Sequence, residues 1–447
     1  MNDIVTWLKD HRITEVECIV PDMAGVGRGK IMPADKFASE GSMRLPESVF
    51  AQTVTGGYTD RPYKLGITNE ADIDMEMRPD PDTLRIVPWA KDPTAQVIHD
   101  GFYLDGSAVE IAPRHVLKKI VELYKNSGWR PVVAPELEFY LIKPNLDPDY
   151  PLEPPVGRSG RPESGSQAFS IDATNEFDPL FEDLYGFCEA QKIEIDTLIH
   201  EAGAAQMEIN LTHGDPLVLA DQAFLFKRTM RETAMRHDVY ATFMAKPMEE
   251  QPGSAMHIHQ SVVDDRTGEN IFSDENGEVS KLFLAHIGGL QKYLPSAMSF
   301  LTPYVNSFRR IVRHGAAPIN LQWGYDNRTV GLRVPHSGPG ARRVENRLSS
   351  ADANPYIAIA VSLACGYLGM KEMLTPTEPL ATSAYHLPME LPHGLFAALE
   401  LLDENIQLRD ILGKKFSAVY SAIKETEVEA FRRVISPWER QFLLLNV

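Results

Sequence analysis

Cysteine is nearly missing from this sequence. Only Cys18, Cys188 and Cys365 occur in 447 residues. They form neither a CxxC pair nor an even set from which a disulfide framework could be built, as expected of a cytoplasmic chain. Long apolar runs are missing too. No uncharged stretch approaches the ~18 residues that a membrane-crossing helix needs. The opening MNDIVTWLKDHRI reads as a short amphipathic helix with charges inside it, not as a signal peptide. Positive charge is in deficit: 44 Lys+Arg against 62 Asp+Glu give a formal net charge of −18. That balance argues against nucleic acid or an anionic membrane surface as the main partner. There is no internal repeat and no low-complexity tract. What remains, 43% hydrophobic and 24% charged, is an ordinary globular composition with core enough for two or three domains.

Against that acidic background one stretch stands apart. Residues 306–347 carry eight arginines (Arg309, Arg310, Arg313, Arg328, Arg333, Arg342, Arg343 and Arg347), no lysine, and only two acids, Asp326 and Glu345. Arginine without lysine suits planar, two-point binding of phosphate or carboxylate oxygens. The run is broken by strand-like apolar pairs and Gly/Pro turns, so a buried anion site is the better reading than a solvated basic face.

Residues 1–112 read as one helix followed by short strands and turns, a compact β-rich domain. GVGRGK loosely resembles a phosphate loop, but its spacing fails and no helix follows, so a β-hairpin is expected there. Clear helical spacing begins after Pro113, placing a domain boundary near residue 112 and a second domain over 113–447. In VVAPELEFYLI, Val133, Pro135, Leu137, Phe139 and Leu141 make one apolar strand face, with Glu136 and Glu138 on the other. Residues 144–168 are rich in Pro, Gly, Ser and Asp, a long loop or lid. Helices are expected around 181–192 and 219–236, a buried one after Asn354, and two or three more at the C-terminus.

The same alternation recurs at Gln206, Glu208 and Asn210, and at His257, His259 and Ser261. A single ExE strand is usually just a solvated face. Several half-buried strands that each present acids or His, with Glu345 beside them, suggest convergence on a cavity. Close carboxylate pairs would then repel by roughly 3–4 kcal/mol at an effective dielectric near 20. Divalent cations make that tolerable, and oxygen ligands with one imidazole favour Mg²⁺ or Mn²⁺. An acidic metal site beside an arginine clamp is the layout of phosphoryl transfer from a nucleotide, although neither a Walker A motif nor a kinase signature is present.

The segments PELEF, HEAGAAQMEIN, ATFMAKP, GSAMHIHQS, NSFRR, NRTVGLR, ARRVENR and ADANPY, in this order over nearly the whole chain, resemble the glutamine synthetase superfamily. The resemblance implies an α+β fold: an N-terminal β-grasp domain and a catalytic domain with a curved antiparallel sheet and helices. It implies rings of six, often stacked as twelve, with sites between neighbouring subunits. It makes Glu138, Glu201 and Glu208 one metal site and Glu136, His257 and Glu345 a second, nearer the nucleotide phosphates. Arg328 and Arg343 would neutralise the transferring phosphoryl group. Arg310 and Arg347 would hold the glutamate carboxylate and the acyl phosphate, with Gly253 offering backbone contact. Arg333, His259 and Ser261 would touch ATP. The implied partners are L-glutamate, ATP and an amine; the implied chemistry is a γ-glutamyl phosphate intermediate opened by the amine.

Departures from the resemblance bear on the amine. Where ammonia-using relatives end their flap in a glutamate, this sequence has Ala316, inside RHGAAP. Where they carry an N-terminal acid for ammonium, it reads AQTVTGGY (51–58). Both changes suit a bulkier amine, as in the γ-glutamylpolyamine and γ-glutamyl-amine synthetases. His314 is a candidate base, against the plainer reading of a flap histidine without a catalytic role. Pro252 replaces an Asn found in many relatives. Tyr385 stands where some bacterial relatives are adenylylated, but its surroundings differ. Two other readings stay open: a glutamine synthetase using ammonium, and a non-catalytic regulatory or structural ring.

Overall fold

A computed structural model describes residues 2–64, 66–313 and 315–447. Six strands form the first sheet: β1 (Glu15–Pro21), β2 (Gly27–Pro33), β3 (Met43–Pro46), β4 (Asp74–Pro79), β5 (Arg85–Ile86) and β6 (Thr94–Phe102). Their order is β2-β1-β6-β4-β3, with β5 on β6. β1 and β6 run parallel, while β1 and β2 form the antiparallel hairpin expected for GVGRGK.

The second sheet has eight strands: β7 (Trp129–Ile142), β8 (Ile195–His200), β9 (Gln206–Leu211), β10 (Tyr240–Thr242), β11 (Met256–Asp264), β12 (Trp323–Tyr325), β13 (Leu332–Val334) and β14 (Val344–Asn346). The order is β12-β13-β14-β11-β7-β9-β8, with β10 also on β7. Every pairing is antiparallel except β12–β13. The long β7 is the spine because its odd positions are apolar. Val133, Leu137, Phe139 and Leu141 are buried on the helical side, which leaves Glu136 and Glu138 to the other face.

Helices Pro113–Lys125, Pro216–Arg236, Lys281–Leu301 and Pro355–Glu372 bring about a third of the buried apolar side chains to that core. Lys281–Leu301 and Pro355–Glu372 approach so closely that a Cβ on Gly289 would lie 2.6 Å from Gly369, so only glycine fits. Lys281–Leu301 was not expected from the sequence; Gly288, Gly289 and Pro295 interrupt its helical signal. The C-terminus holds four helices (Leu395–Glu404, Ile406–Leu412, Lys414–Arg432 and Pro437–Leu443) where two or three were expected. Among the described residues no helix is long and apolar enough to cross a membrane.

Candidate active site

Strand register does the assembling. The two-residue period puts Glu136 and Glu138 on one face of β7. Pairing then sets Glu138 directly opposite Glu208 on β9, and Glu136 opposite His257 on β11. Further along the sheet, Glu345 of β14 faces both His259 and Arg333. Two acids directly opposite one another, as at Glu138 and Glu208, destabilise a sheet unless something neutralises them.

These faces wall a cavity of about 250 Å³. It is lined by Glu136, Glu138, Glu201, Glu208, His257 and Glu345, and by Arg310, Arg328, Arg333, Arg347 and Gly253. The structure therefore gathers all six expected metal ligands and four of the eight arginines. Arg343, His259 and Ser261 do not line it. His259 lies behind the lining: its Nε2 donates to Glu136 Oε1 (2.8 Å), and its Nδ1 accepts from Arg343 Nε (3.2 Å). Ser261 Oγ donates to the Arg342 carbonyl. Arg342 itself is spent on the backbone at Phe272, Gly277 and Glu278. Asp326 and Glu345, the two acids of the arginine stretch, both pair with it. Arg333 bridges them at 3.2 and 2.7 Å, and Arg347 takes the other Glu345 oxygen.

The electrostatics split the carboxylates. Burial pushes Glu138 up to about 8, with the Glu201 charge adding to it. Burial raises Glu208 well above the ordinary range, helped by Glu136, Glu138, Glu201 and Glu345. Glu201 is raised by burial as well. Burial works the same way on Glu136, but hydrogen bonds from His257 and His259 overcome it and hold that carboxyl well below its usual value. His257 is pushed down to about 4 by burial and by Arg347.

Ligand atoms of Glu136, His257 and Glu345 lie within 4.8 Å of one another, as do those of Glu138, Glu208 and His257. The first group is made of the three residues that the resemblance assigned to a second metal site. In the other, His257 joins Glu138 and Glu208, and Glu201 lines the same space. A crowded, buried, oxygen-rich set with one imidazole suits a hard divalent cation, and neutral-leaning acids are what such a set becomes without one.

Gly253 admits no side chain: a Cβ there would lie 2.6 Å from Arg310 Cγ and 2.8 Å from the Ala245 carbonyl. Its carbonyl accepts from Gln206 Nε2 (3.1 Å), which also reaches Ser254 Oγ at 3.3 Å. Gln206 and Asn210 line the cavity without having been singled out as site residues. Their alternation with Glu208 was the available signal. Phe169, another lining residue, carried none; it adopts φ +62° in an irregular loop.

The flap supplies Gly315, Ala316 and Ala317 to the lining, with Ala316 at φ +59°. His314 lies outside the described residues. The flap's flanks are laced to a later segment. Arg313 donates to the carbonyls of Tyr385 (2.6 Å) and Leu387 (3.2 Å), and Asn320 to that of Ala384 (2.9 Å). Asn327 donates to Leu380 and Thr382, and the Ala384 amide to Thr329. Tyr385 is half-buried there. Segment 51–58 does not line this cavity; its Val54 amide donates to Glu427. A wider groove of about 840 Å³, between the β1–β2 hairpin and helix Pro216–Arg236, contains none of the expected site residues.

Known proteins resemble this chain over nearly its whole length. The family described as glutamine synthetase, catalytic domain, matches residues 110–443. The gamma-glutamylputrescine synthetase PuuA of Escherichia coli K12 is 36% identical, over 99% of this chain and 94% of its own. A glutamate–isopropylamine ligase of a Pseudomonas species is 30% identical, covering 97% and 95%. A glutamine synthetase of Pyrococcus woesei is also 30% identical, covering 99% and 100%. Among solved structures, GmaS in complex with ADP superposes with a TM-score of 0.85 at 26% identity, over 99% of this chain and 100% of that one.

Proposed function

This chain belongs to the glutamine synthetase family, and on that premise we propose that it joins the γ-carboxylate of L-glutamate to an organic amine, a polyamine or another biogenic amine, using ATP. One observation carries the choice of amine. The flap presents Gly315, Ala316 and Ala317 to the cavity, so the acid that would hold ammonium is replaced by a methyl group and open volume. The similarity to a gamma-glutamylputrescine synthetase and a glutamate–isopropylamine ligase supports the same reading.

In this reading a glutamate γ-carboxylate oxygen attacks the terminal phosphorus of ATP. The bond to ADP breaks and γ-glutamyl phosphate forms. The neutral amine nitrogen then attacks the acyl carbon, phosphate leaves with the C–O electron pair, and the amine proton is lost. Arg310 and Arg347, both buried in the cavity wall, orient the substrate carboxylate and the acyl phosphate. Arg328 and Arg343 balance charge on the phosphoryl group, while Arg333, His259 and Ser261 contact the nucleotide. Gly253 lets the substrate lie against bare backbone. Glu138, Glu201 and Glu208, and Glu136, His257 and Glu345, would hold two or more Mg²⁺ or Mn²⁺ ions. When bound, these supply neutralisation of the phosphate charge. Domains spanning 1–112 and 113–447, a hexameric or stacked dodecameric ring with sites between subunits, and a cytoplasmic location complete the proposal.

The test is phosphate release with ATP, Mg²⁺ and glutamate across ammonium, putrescine, spermidine, spermine, ethanolamine and phenethylamine. An organic amine should exceed ammonium by tenfold or more in kcat/KM, about 1.4 kcal/mol. Preference for ammonium would make the chain a glutamine synthetase. Tight binding of Mg²⁺-ATP without turnover on any amine would make it a non-catalytic ring.

A further inference from the structure

The loop between β7 and the short helix Ile171–Thr174 sends one acid inward. Glu163 has a side chain only 9% exposed, and its Oε1 lies 2.6 Å from Nε2 of His200, whose side chain is fully buried. On the other side of the same ring, Nδ1 is 2.7 Å from the carbonyl oxygen of Glu201. A carbonyl accepts and never donates, so Nδ1 carries a proton. At Nε2 the Glu163 carboxylate makes a close ion-pair contact, not an aligned hydrogen bond. The ring is therefore clamped between Glu163 and the peptide that follows Glu201, and cannot turn without losing both partners.

The rest of the loop grips the residues on either side of Glu201. The Phe169 amide donates to the His200 carbonyl (2.8 Å), and the Ser166 amide to the Ala202 carbonyl (2.7 Å). From the opposite side the Glu201 amide donates to the Gln206 carbonyl at 2.8 Å. Glu201 is thus held at its amide by the hairpin and at its carbonyl by the His200 ring, which Glu163 of the loop backs. Stability is a poor reason for this arrangement, because a buried ion pair is seldom better than apolar residues of the same volume. Carboxylates that brace a ligand from behind are a recurrent feature of cation sites, and losing one typically costs 10–100-fold in metal affinity.

We infer that Glu163, acting through the His200 imidazole, is a positioning residue for Glu201 and sets that carboxylate for a divalent cation. This rests on the reading of Glu201 as a metal ligand. It assigns the loop a task in cation binding that needs no closure over the substrate.

Mn²⁺ titration of the full-length protein, followed by electron paramagnetic resonance of the free ion, tests this without turnover. The variants are Glu163→Gln, Glu201→Gln and the double mutant. Glu163→Gln should loosen one class of Mn²⁺ site by about tenfold or more, and so should Glu201→Gln. The double mutant should bind no worse than Glu201→Gln alone. Wild-type affinity in Glu163→Gln, or an additive loss in the double mutant, overturns the inference. An effect of Glu201→Gln with none of Glu163→Gln removes the positioning role alone, whereas silence of Glu201→Gln removes the ligand assignment beneath it. Circular dichroism melting accompanies each variant. Should Glu163→Gln melt early, Glu163→Met, which leaves a neutral ring and no buried charge, carries the same expectation.

Discussion

Arg114 grips Asp221 through two parallel hydrogen bonds, Nε to Oδ1 at 2.9 Å and Nη2 to Oδ2 at 2.8 Å. The same guanidinium reaches Asp100 of β6 at 2.8 Å and Asp80 at 2.7 Å, so one buried cation joins the first sheet to the helices behind the second. Replacing it by methionine leaves Asp80 and Asp221 without their counter-charge and Asp100 with Lys118 alone. Arg114→Met should lower the unfolding free energy by about 3–5 kcal/mol, read from the urea midpoint. A change below 1 kcal/mol would show that water replaces the guanidinium.

Ala316→Glu restores an acid to the flap, and the backbone there already sits at φ +59° with a side chain, so no new strain is added. The ratio of organic-amine to ammonium kcat/KM should move toward ammonium by about tenfold, ~1.4 kcal/mol. An unchanged ratio would separate amine choice from this residue.

Glu208→Gln removes one of the carboxylates that crowd Glu138. Without divalent cation, the variant should melt at a higher temperature than the parent, because repulsion is relieved. Mg²⁺ should then raise its melting temperature less than it raises the parent's, since linkage stabilisation follows affinity. A lower melting temperature in metal-free buffer would mean that the acids are not in net repulsion. Scanning fluorimetry with and without Mg²⁺ reads both effects.

His286, on helix Lys281–Leu301, is fully buried, and neither ring nitrogen has a hydrogen-bond partner among the described residues. Burial lowers it from 6.5 to about 3. The sign follows: the unfolded chain binds the proton more readily, so stability is complete above the ordinary value and is lost as pH falls from 6.5 toward 3. At pH 5 the cost is about 2 kcal/mol. His286→Met should remove that part of the acid sensitivity. Melting curves of variant and parent between pH 7 and 4 should converge or cross as pH falls, and parallel curves would refute the assignment.

What was legible in the sequence was whatever strand periodicity encodes. Leu137, Phe139 and Leu141 alternating with Glu136 and Glu138 announced both the buried face of β7 and the acids on its other side, and the same rule exposed Glu208 and His257. Register was not legible, because hydrogen-bonded neighbours such as Glu345 and His259 are 86 positions apart in sequence numbering. Nor was the division of labour among the arginines: Arg342 and Arg347 look alike as letters, yet one ties down loops and the other faces the cavity. The missed helix Lys281–Leu301 is apolar nearly all round, so it offers no amphipathic stripe to read. Glu163 stayed hidden because an irregular loop has no period at all.

The lacing of residues 313–329 to the segment around Leu380–Leu387 has a consequence for how variation in this chain is interpreted. Leu380, Thr382 and Ala384 serve the flap through their backbone groups, so most exchanges of their side chains leave those bonds in place. A deletion or a proline that displaces the backbone does not. A single missing residue between positions 377 and 390, far downstream and absent from the cavity wall, would register in an assay as a defect of the flap side of the cavity, while substitutions of Leu380 or Thr382 other than proline would pass unnoticed.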